Sequence, residues 1–280
     1  MSIRRVEAHI PGGGGLALFA RGWMPDVPER VVSLVHGFAE HTGRYERIGS
    51  WLADRGCAVH AFDLRGHGRS EGPRGHAASF QVLVDDVEAF VAHVRSQHPG
   101  LPLFLLGHSM GGLLVLGYAA QRSPAVSGVV ASGAALHLGE PPSRPEILGL
   151  RLLRPLLPRL RIRRPISGGA LSRDPEVGRL YEADPLVFQF MTLSLAWALY
   201  DGARRTLGAA PEVSLPVLLL HGGDDPLVLP TGSEAFADEV GVPGSDLRIY
   251  PGLRHEILNE PEWETVARDL LAWMQAREAD

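Results

Sequence analysis

The sequence predicts an α/β fold: an eight-stranded, mostly parallel sheet with helices on both faces and a helical cap inserted after the sixth strand. From Val31 onward, short and continuously apolar strands alternate with helical stretches. This alternation is typical of a parallel sheet that is buried on both faces. The alternation stops over residues 135–213, where proline-punctuated segments rich in Leu and Arg hold no convincing strand. Two strands and a closing helix then follow, which predicts that these residues are an insertion.

The strands and helices can be placed in order along the chain. The expected strands cover residues 4–10, 16–23, 31–36, 58–63, 102–106, 127–132, 215–221 and 246–250. The expected helices cover residues 45–55, 80–98, 111–121 and 262–278, with an aromatic helix around 188–200 inside the insertion. The turn Gly12–Gly15 separates the first two strands at hairpin distance, which predicts an antiparallel pair. We therefore expect a core in two parts, residues 1–134 and 214–280, and a helical cap over residues 135–213.

The composition excludes several classes of protein. With 45% hydrophobic and 21% charged residues in 280, the chain is ordinary for a soluble globular enzyme. The net charge of −5 argues against a nucleic-acid partner. All 27 basic residues are arginine, which excludes a lysine Schiff base and a Walker lysine. Cys57 is the single cysteine, so no internal disulfide forms. The sequence shows no signal peptide and no apolar run of 18 residues, which predicts a cytoplasmic protein.

The segment Leu103–Gly112 carries the strongest chemical signal in the chain. An apolar strand runs into Gly107-His108-Ser109-Met110-Gly111, and an apolar helix follows. The pentapeptide Gly-x-Ser-x-Gly is weak evidence alone, but a sharp strand-to-helix turn lifts the serine hydroxyl out of the backbone as a nucleophile. Glycines on both sides of the serine leave room for so tight a turn. The context therefore predicts that Ser109 is a catalytic nucleophile.

A serine nucleophile needs a general base, and the base needs an acid that orients it. In folds with this turn, the order along the chain is serine, acid, histidine. Asp225 follows the apolar strand that ends near Gly222, at the edge where the sites of open α/β sheets lie. Asp224 is the rival for the acid, and the spacing from Gly222 favours Asp225. His255 follows the last strand on a Pro-Gly loop and is the predicted base.

Backbone N–H groups are expected to stabilise the oxyanion of the reaction. Met110, the residue after the nucleophile, supplies one N–H; Phe38, in the loop after the third strand, supplies the second, and Gly37 permits the turn. The Phe38 side chain either lines an acyl pocket or is a core aromatic. Several other histidines lack the position downstream of Asp225 that His255 has, and are interpreted as structural or loop residues: His36, His67, His108 and His221.

No metal or cofactor site is predicted. The pairs His36/His41 and His67/His76 lie on loops without the regular clusters of ligands that zinc sites show. The turn Gly12–Gly15 lacks both the lysine and the strand-to-helix context of a phosphate-binding loop.

The first half of the insertion, Glu146–Arg164, contains seven Leu and six Arg. One interpretation is a surface that touches a membrane, with arginines on lipid headgroups and leucines at the acyl boundary. The other is a lid whose leucines cover a pocket while the arginines stay solvated. Pro155 and Pro158 stop any long amphipathic helix here and favour the lid.

A family resemblance is carried by the segments His36–Tyr45, Phe62–Gly72, Gly107–Gly112 and Tyr250–Glu260. They resemble the monoacylglycerol lipase and lysophospholipase group of α/β-hydrolases, within the serine aminopeptidase-like family. The resemblance covers residues 3–134 and 214–279 and fades through the cap, where Ala183–Val187 is similar to a stretch these lipases often carry.

The resemblance implies the same five site positions: Ser109 as nucleophile, Asp225 as acid, His255 as base, and the amides of Phe38 and Met110 as oxyanion donors. It also implies hydrolysis of a small-molecule acyl ester, a glycerol monoester of a fatty acid, through an acyl-enzyme without a metal.

Other functions stay open at the level of sequence. A lysophospholipase or broad-specificity carboxylesterase differs only in its cap contacts. An amidase or aminopeptidase would use cap carboxylates, Glu140, Glu176 or Glu182, to bind a substrate amine. A catalytically silent binding module on the same scaffold is the alternative from another class, although such modules commonly lose a triad member.

Overall fold

A single eight-stranded sheet runs through the computed structural model, which describes residues 3–277. Its strands are β1 (Arg4–Pro11), β2 (Ala17–Met24), β3 (Arg30–Val35), β4 (Cys57–Phe62), β5 (Leu103–His108), β6 (Gly128–Ser132), β9 (Val217–Gly222) and β10 (Asp246–Tyr250); two short strands, β7 (Arg161–Arg163) and β8 (Phe190–Thr192), pair separately. The order across the large sheet is β1-β2-β4-β3-β5-β6-β9-β10. β2 is antiparallel to both neighbours and the other pairs are parallel. The antiparallel pairing of the first two strands is as the sequence predicts, and that of β2 with β4 is an additional feature.

The inner strands are apolar on both faces because helices cover both sides of the sheet. In β3, Val31 and Val35 pack into one buried cluster, and Val32 and Leu34 pack into a second cluster on the opposite face. This alternation follows from the two-residue period of a strand. The continuous apolar runs in the sequence therefore mark central strands.

Nine α-helices occur within the described residues. They are α1 (Glu46–Ala53), α2 (Phe80–Gln97), α3 (Met110–Arg122), α4 (Arg144–Leu153), α5 (Gly168–Leu171), α6 (Pro175–Ala183), α7 (Leu193–Gly208), α8 (Pro230–Glu239) and α9 (Trp263–Gln275). Apolar side chains of α1 and α9 join one buried cluster, and those of α2, α3 and α8 join the other. Helices thus cover both faces, and the expected fold class is confirmed.

The cap follows β6 and contains α4 to α7, as predicted. The expectation that residues 135–213 hold no strand is wrong, because β7 and β8 form an antiparallel pair in which Ile162 faces Met191. Each strand has only three residues, and two of those in β7 are arginines, so no apolar run marks them. The division at residues 134 and 213 stays a prediction.

Two helix boundaries differ from those expected. The aromatic helix begins at Leu193, and residues 190–192, expected within it, are strand β8. The closing helix α9 ends at Gln275, and the expected end at residue 278 lies outside the described residues. Helix α4 ends at Leu153, two residues before Pro155, although Arg154, the residue before the proline, still has helical backbone angles (φ −57°, ψ −36°).

The carboxyl ends of the parallel strands meet at one edge of the sheet. The loops after β3, β5, β9 and β10 all leave from this edge, and they contain the residues that the sequence nominates for catalysis. This placement is the usual one for sites in open α/β sheets.

Helix α3 lies unusually close to the backbone of β3. A Cβ atom added at Gly111 would lie 2.1 Å from the carbonyl oxygen of Val35 and 2.6 Å from that of His36. Since both neighbours are backbone atoms, a larger residue would force the helix and the strand apart.

We predict that Gly111→Ala destabilises the fold by about 1–3 kcal/mol, the usual cost of overpacking. The measurement is the midpoint of urea unfolding followed by circular dichroism. Gly149→Ala is the matched control: it lies inside α4 with nothing within 4 Å of an added Cβ. Its higher helix propensity should stabilise α4 by about 0.5–1 kcal/mol. A Gly111→Ala variant as stable as the wild type would contradict this account of the packing.

Candidate active site

Ser109 is held in a strained backbone conformation between β5 and α3. Its φ of 54° and ψ of −115° are rare for a residue with a side chain. Hydrogen bonds fix the backbone on both sides: the Ser109 N–H donates to the Ser132 carbonyl (2.9 Å), and its carbonyl accepts from Ala135 (3.0 Å). Such strain persists only where surrounding structure over-determines it, and it is concentrated at functional sites.

Asp225 and His255 form a buried hydrogen-bonded pair. The distance from His255 Nδ1 to Asp225 Oδ2 is 2.6 Å, and both residues are 4% exposed. The other carboxylate oxygen of Asp225 accepts the backbone N–H groups of Leu227 (2.9 Å) and Val228 (3.0 Å), which fixes its orientation. Asp224 is exposed to solvent. Of the two candidate acids, the structure therefore brings Asp225 to the imidazole.

A second histidine also contacts Asp225. His221 Nε2 lies 3.3 Å from Asp225 Oδ2 and 3.0 Å from the carbonyl oxygen of Val228, and its Nδ1 lies 2.8 Å from Ser233 Oγ. Sequence reasoning treats His221 as structural because it ends a strand. Its position beside the acid carries no signal in the sequence, since it depends on how the loop after β9 folds back.

The His255 ring and Ser109 lie on the same edge of the sheet. The His255 ring packs on that of His108, the neighbour of the serine, with ring centroids 4.8 Å apart. At Gly133 (φ 53°) an added Cβ would lie 3.3 Å from His255 Nδ1, so a side chain here would crowd the ring. The Ser109 hydroxyl makes no hydrogen bond to any residue in the range 3–277. Hydrogen bonds between a nucleophile and its base are often long without substrate.

The buried histidines differ in charge because their neighbours differ. Burial opposes protonation of His255, but the Asp225 carboxylate and its hydrogen bond outweigh burial and raise the pKa of His255 above its ordinary value. Burial and the nearby His255 together lower the pKa of His108 to about 4. Burial also lowers the pKa of His67 to about 3. Of these three, His255 is the one suited to exchange a proton near neutral pH.

The pKa of Asp225 is well below its ordinary value. Burial opposes ionisation, but the charge on His255 and hydrogen bonds from His221 and His255 outweigh it. Asp225 is therefore an anion at neutral pH, which is the state that an orienting carboxylate requires.

Two backbone N–H groups are available beside the serine. An added Cβ at Gly37 would lie 3.1 Å from Ser109 Cβ, so the loop after β3 passes directly against Ser109. Neither the N–H of Phe38 nor that of Met110 donates a hydrogen bond to a residue in the described part of the chain. Met110 is also the first residue of α3, where the helix dipole favours negative charge.

The Phe38 side chain lies where the core meets the cap. Its ring is half-buried and makes edge-to-face contacts with Phe188 of the cap (5.6 Å) and with His67 (6.1 Å). Phe188 in turn packs on Phe190 (5.3 Å). An aromatic wall thus borders the oxyanion loop, and the sequence gives no indication of Phe188 in this place because the resemblance fades through the cap.

Two kinds of site are absent from residues 3–277. No group of three or more His, Cys, Asp or Glu side chains is arranged to hold a metal ion. No helix in this range combines the length and the apolar composition that crossing a membrane requires.

Comparison with known proteins places this geometry in a family. A family model described as serine aminopeptidase, S33, matches residues 26–262. The chain is 36% identical over 276 residues to the monoacylglycerol lipase of Mycolicibacterium smegmatis, with 98% of each protein covered. It is 34% identical over 277 residues to human monoglyceride lipase, covering 97% of this chain and 91% of the human protein.

A solved structure agrees with the sequence relatives. The crystal structure of the monoacylglycerol lipase of Paleococcus ferrophilus matches with a TM-score of 0.83 and 32% identity, covering 99% of this chain and 100% of that one. With the family model spanning most of the chain, the protein belongs to the serine aminopeptidase S33 family of α/β-hydrolases, in its monoacylglycerol lipase group.

Proposed function

We propose that the protein is a serine ester hydrolase that cleaves monoacylglycerols to fatty acid and glycerol through an acyl-enzyme. The observation that carries the proposal is the buried pair of Asp225 and His255, bonded at 2.6 Å on the sheet edge where Ser109 is held in a strained turn. Relatives named for monoacylglycerol hydrolysis match the chain over nearly its full length, which supports this substrate class.

In the proposed mechanism, Ser109 Oγ attacks the ester carbonyl while His255 Nε2 accepts the hydroxyl proton. Asp225 holds Nδ1–H and stabilises the imidazolium that forms. The N–H groups of Phe38 and Met110 donate to the oxyanion, and loss of one such donor typically costs about 2.7–4 kcal/mol. His255 then protonates the departing glycerol, and water hydrolyses the acyl-enzyme by the same steps.

The aromatic border of the site suits an acyl chain. Phe38 and Phe188 present apolar surface where the cap meets the oxyanion loop. Each buried CH₂ group of a substrate contributes about 0.8 kcal/mol before the cost of ordering the chain, which favours long acyl groups.

An amidase that binds a substrate amine receives less support. Of the three cap carboxylates that could bind an amine, Glu176 pairs with Arg179 (2.6 Å), and Glu182 accepts the N–H of Gly168 (3.0 Å). Two of the three are therefore already engaged within the cap.

We predict that the purified protein hydrolyses long-chain monoacylglycerols faster than lysophosphatidylcholines and faster than acetyl esters. The measurement is a panel of these substrates with p-nitrophenyl esters of graded length. A fluorophosphonate probe should label the wild type and not the Ser109→Ala variant.

The outcomes of this panel separate the alternatives. Equal rates for acetyl and long acyl esters would count against a lipase, and a preference for lysophosphatidylcholine would indicate a lysophospholipase. Absence of probe labelling in the wild type would favour a catalytically silent binding module.

We predict that kcat/KM falls as the pH drops through the folded-state pKa of His255, which lies above its ordinary value of 6.5. The rate falls at low pH because imidazolium cannot accept the serine proton.

Asp225→Asn should lower kcat by about 10⁴-fold, the order seen when a triad acid becomes an amide. Residual activity in that variant should have its acid limb at lower pH, because the charge that raises the pKa is gone. Asp224→Asn is the control; a loss of activity confined to that variant would reverse the assignment of the acid.

The outer rim of the cap has the composition of a lipid-contacting surface. Six leucines are each at least 45% exposed: Leu148, Leu152, Leu153, Leu156, Leu157 and Leu160. The same segment, Glu146–Arg164, contains six arginines and one carboxylate, that of Glu146. None of these arginines forms an ion pair with another residue in the range 3–277. Two of the six, Arg154 and Arg161, lie over the rings of Trp197 (4.5 Å) and Phe190 (4.3 Å). Arginines beside exposed leucines match anionic headgroups above an acyl layer, so the proposed partner of this rim is an anionic lipid surface. The cytoplasmic location stays a prediction.

We predict that the protein co-sediments with vesicles of phosphatidylglycerol and phosphatidylcholine more than with phosphatidylcholine alone, and that salt weakens the binding. The double variant Leu152→Ser/Leu156→Ser should reduce binding at least fivefold, because it removes two of the most exposed apolar side chains of the rim. The control is Val27→Ser, which changes a residue 78% exposed in the loop before β3. Equal sedimentation of the double variant and the wild type would contradict lipid binding by the rim and would favour the interpretation of this segment as a lid.

A further inference from the structure

A buried cluster of charges lies behind the candidate active site. Arg44 donates to Glu40 (Nη1–Oε2, 2.7 Å) and makes a two-pronged contact with Glu256 (2.6 and 2.9 Å). Glu40 is 3% exposed and Glu256 is 5% exposed. Sequence reasoning assigns no role to these residues, although all of them lie within the segments that carry the family resemblance.

One end of this cluster holds the oxyanion loop. Glu40 Oε1 accepts the N–H of Gly37 at 2.6 Å and the hydroxyl of Tyr45 at 2.7 Å. The loop between them includes Ala39, whose φ of 61° is in the left-handed region that L-residues rarely adopt. The Glu40 carboxylate therefore stabilises this strained turn. The N–H that follows Gly37 within the turn is that of Phe38.

The carbonyl group of Gly37 is also held in place. Leu64 N–H donates to His36 Nε2 (2.9 Å), so the ring proton is on Nδ1, which lies 2.7 Å from the Gly37 carbonyl oxygen and donates to it. In a trans peptide the C=O and the following N–H point in opposite directions. A clamp on the Gly37 carbonyl therefore directs the Phe38 N–H away from His36.

The opposite end of the cluster holds the histidine loop and the cap. Glu256 is the residue after His255, and its N–H donates to the carbonyl oxygen of Leu171 in the cap (2.7 Å). Its carboxylate also accepts from Asn259 Nδ2 (2.9 Å). The Tyr181 ring of the cap lies 4.8 Å from the Arg44 guanidinium. One arginine thus joins the oxyanion loop, the histidine loop and the cap.

A buried ion pair is weak evidence for stability, because the cost of removing charges from water offsets their attraction. A planar guanidinium between two carboxylates does, however, fix distances and angles that a lysine cannot fix. What this cluster supplies is geometric control over two loops that are separated by more than 200 positions in the chain.

We propose that Glu40, Arg44 and Glu256 are positioning residues that hold the Phe38 N–H and the His255 ring in register for catalysis. This inference rests on the proposed serine hydrolase function. None of the three touches the reacting atoms, and each acts through the loop it holds.

The test uses charge-preserving and shape-preserving variants of the full chain. Arg44→Lys keeps the positive charge but loses the planar guanidinium that binds both carboxylates at once. We expect kcat to fall about 10²-fold, the order seen when an oxyanion donor is lost, and KM to stay within threefold of the wild type. The rate of fluorophosphonate labelling should fall in parallel, because phosphonylation uses the same N–H groups. The control pair, Glu264→Gln and Arg268→Lys, changes an exposed ion pair of 2.6 Å on α9 and should leave both rates unchanged.

The pH profile separates positioning from a merely structural role. The charged and titratable groups around His255 are Asp225, His108, Glu256 and Glu40, with His221 behind Asp225. Glu256→Gln removes a carboxylate that favours imidazolium, so the acid limb of kcat/KM should move to lower pH. Arg44→Lys keeps its charge, and its acid limb should stay in place while kcat falls.

Each outcome bears on one claim. Folded variants with wild-type kcat, labelling rate and acid limb, and only a lower melting temperature, would overturn the positioning role. If Arg44→Lys does not fold, Tyr45→Phe removes one hydrogen bond to Glu40 and should still lower kcat without changing KM. A wild type that is not labelled at all would defeat the proposed function instead.

Discussion

One backbone constraint underlies the site: the chain passes from β5 into α3 through a single residue with positive φ. The glycines on either side make this possible, since an added Cβ on Gly107 would lie 2.3 Å from the Gly111 carbonyl oxygen. The same close approach presses the start of α3 against the end of β3. The proposed nucleophile Ser109, the first N–H of the helix and the loop after β3 are therefore neighbours as a consequence of backbone packing.

Burial then sorts the ionisable groups into those that carry charge and those that do not. His67 loses its charge to desolvation, and the nearby His36 and Arg74 also disfavour its protonated form. His255 is as deeply buried but faces the Asp225 carboxylate, which more than compensates for desolvation. Glu40 shows the same principle, because Arg44 and nearby histidines hold its pKa well below the ordinary value despite burial. In each case the partner decides the protonation state.

Sequence patterns predicted the core of the fold and the candidate triad because each depends on local signals. The apolar strands and the glycines around Ser109 are properties of short segments. The pairing of Arg44 with Glu256 could not be predicted, because it joins residues 212 positions apart and depends on how two loops approach. The short strands of the cap were missed for a different reason: Arg161–Arg163 alternates polar and apolar residues, but three residues are too few for a strand to be recognised from its pattern.

The cap divides into a part that is tied to the catalytic loops and a part that is not. Leu171 and Asp184 contact the core directly, the first through the Glu256 N–H and the second through His41 Nε2 at 2.8 Å. Helix α4 and the segment after it, by contrast, carry the exposed leucines of the rim. A further anchor lies at the start of the cap, where the Gly139 N–H donates to the carbonyl oxygen of Leu227 (2.8 Å). The rim lies between these anchors, so in the proposed function it can meet a lipid surface without disturbing the loops that hold His255. The proposed docking on a lipid surface and the proposed alignment of the catalytic groups therefore involve different stretches of one insertion.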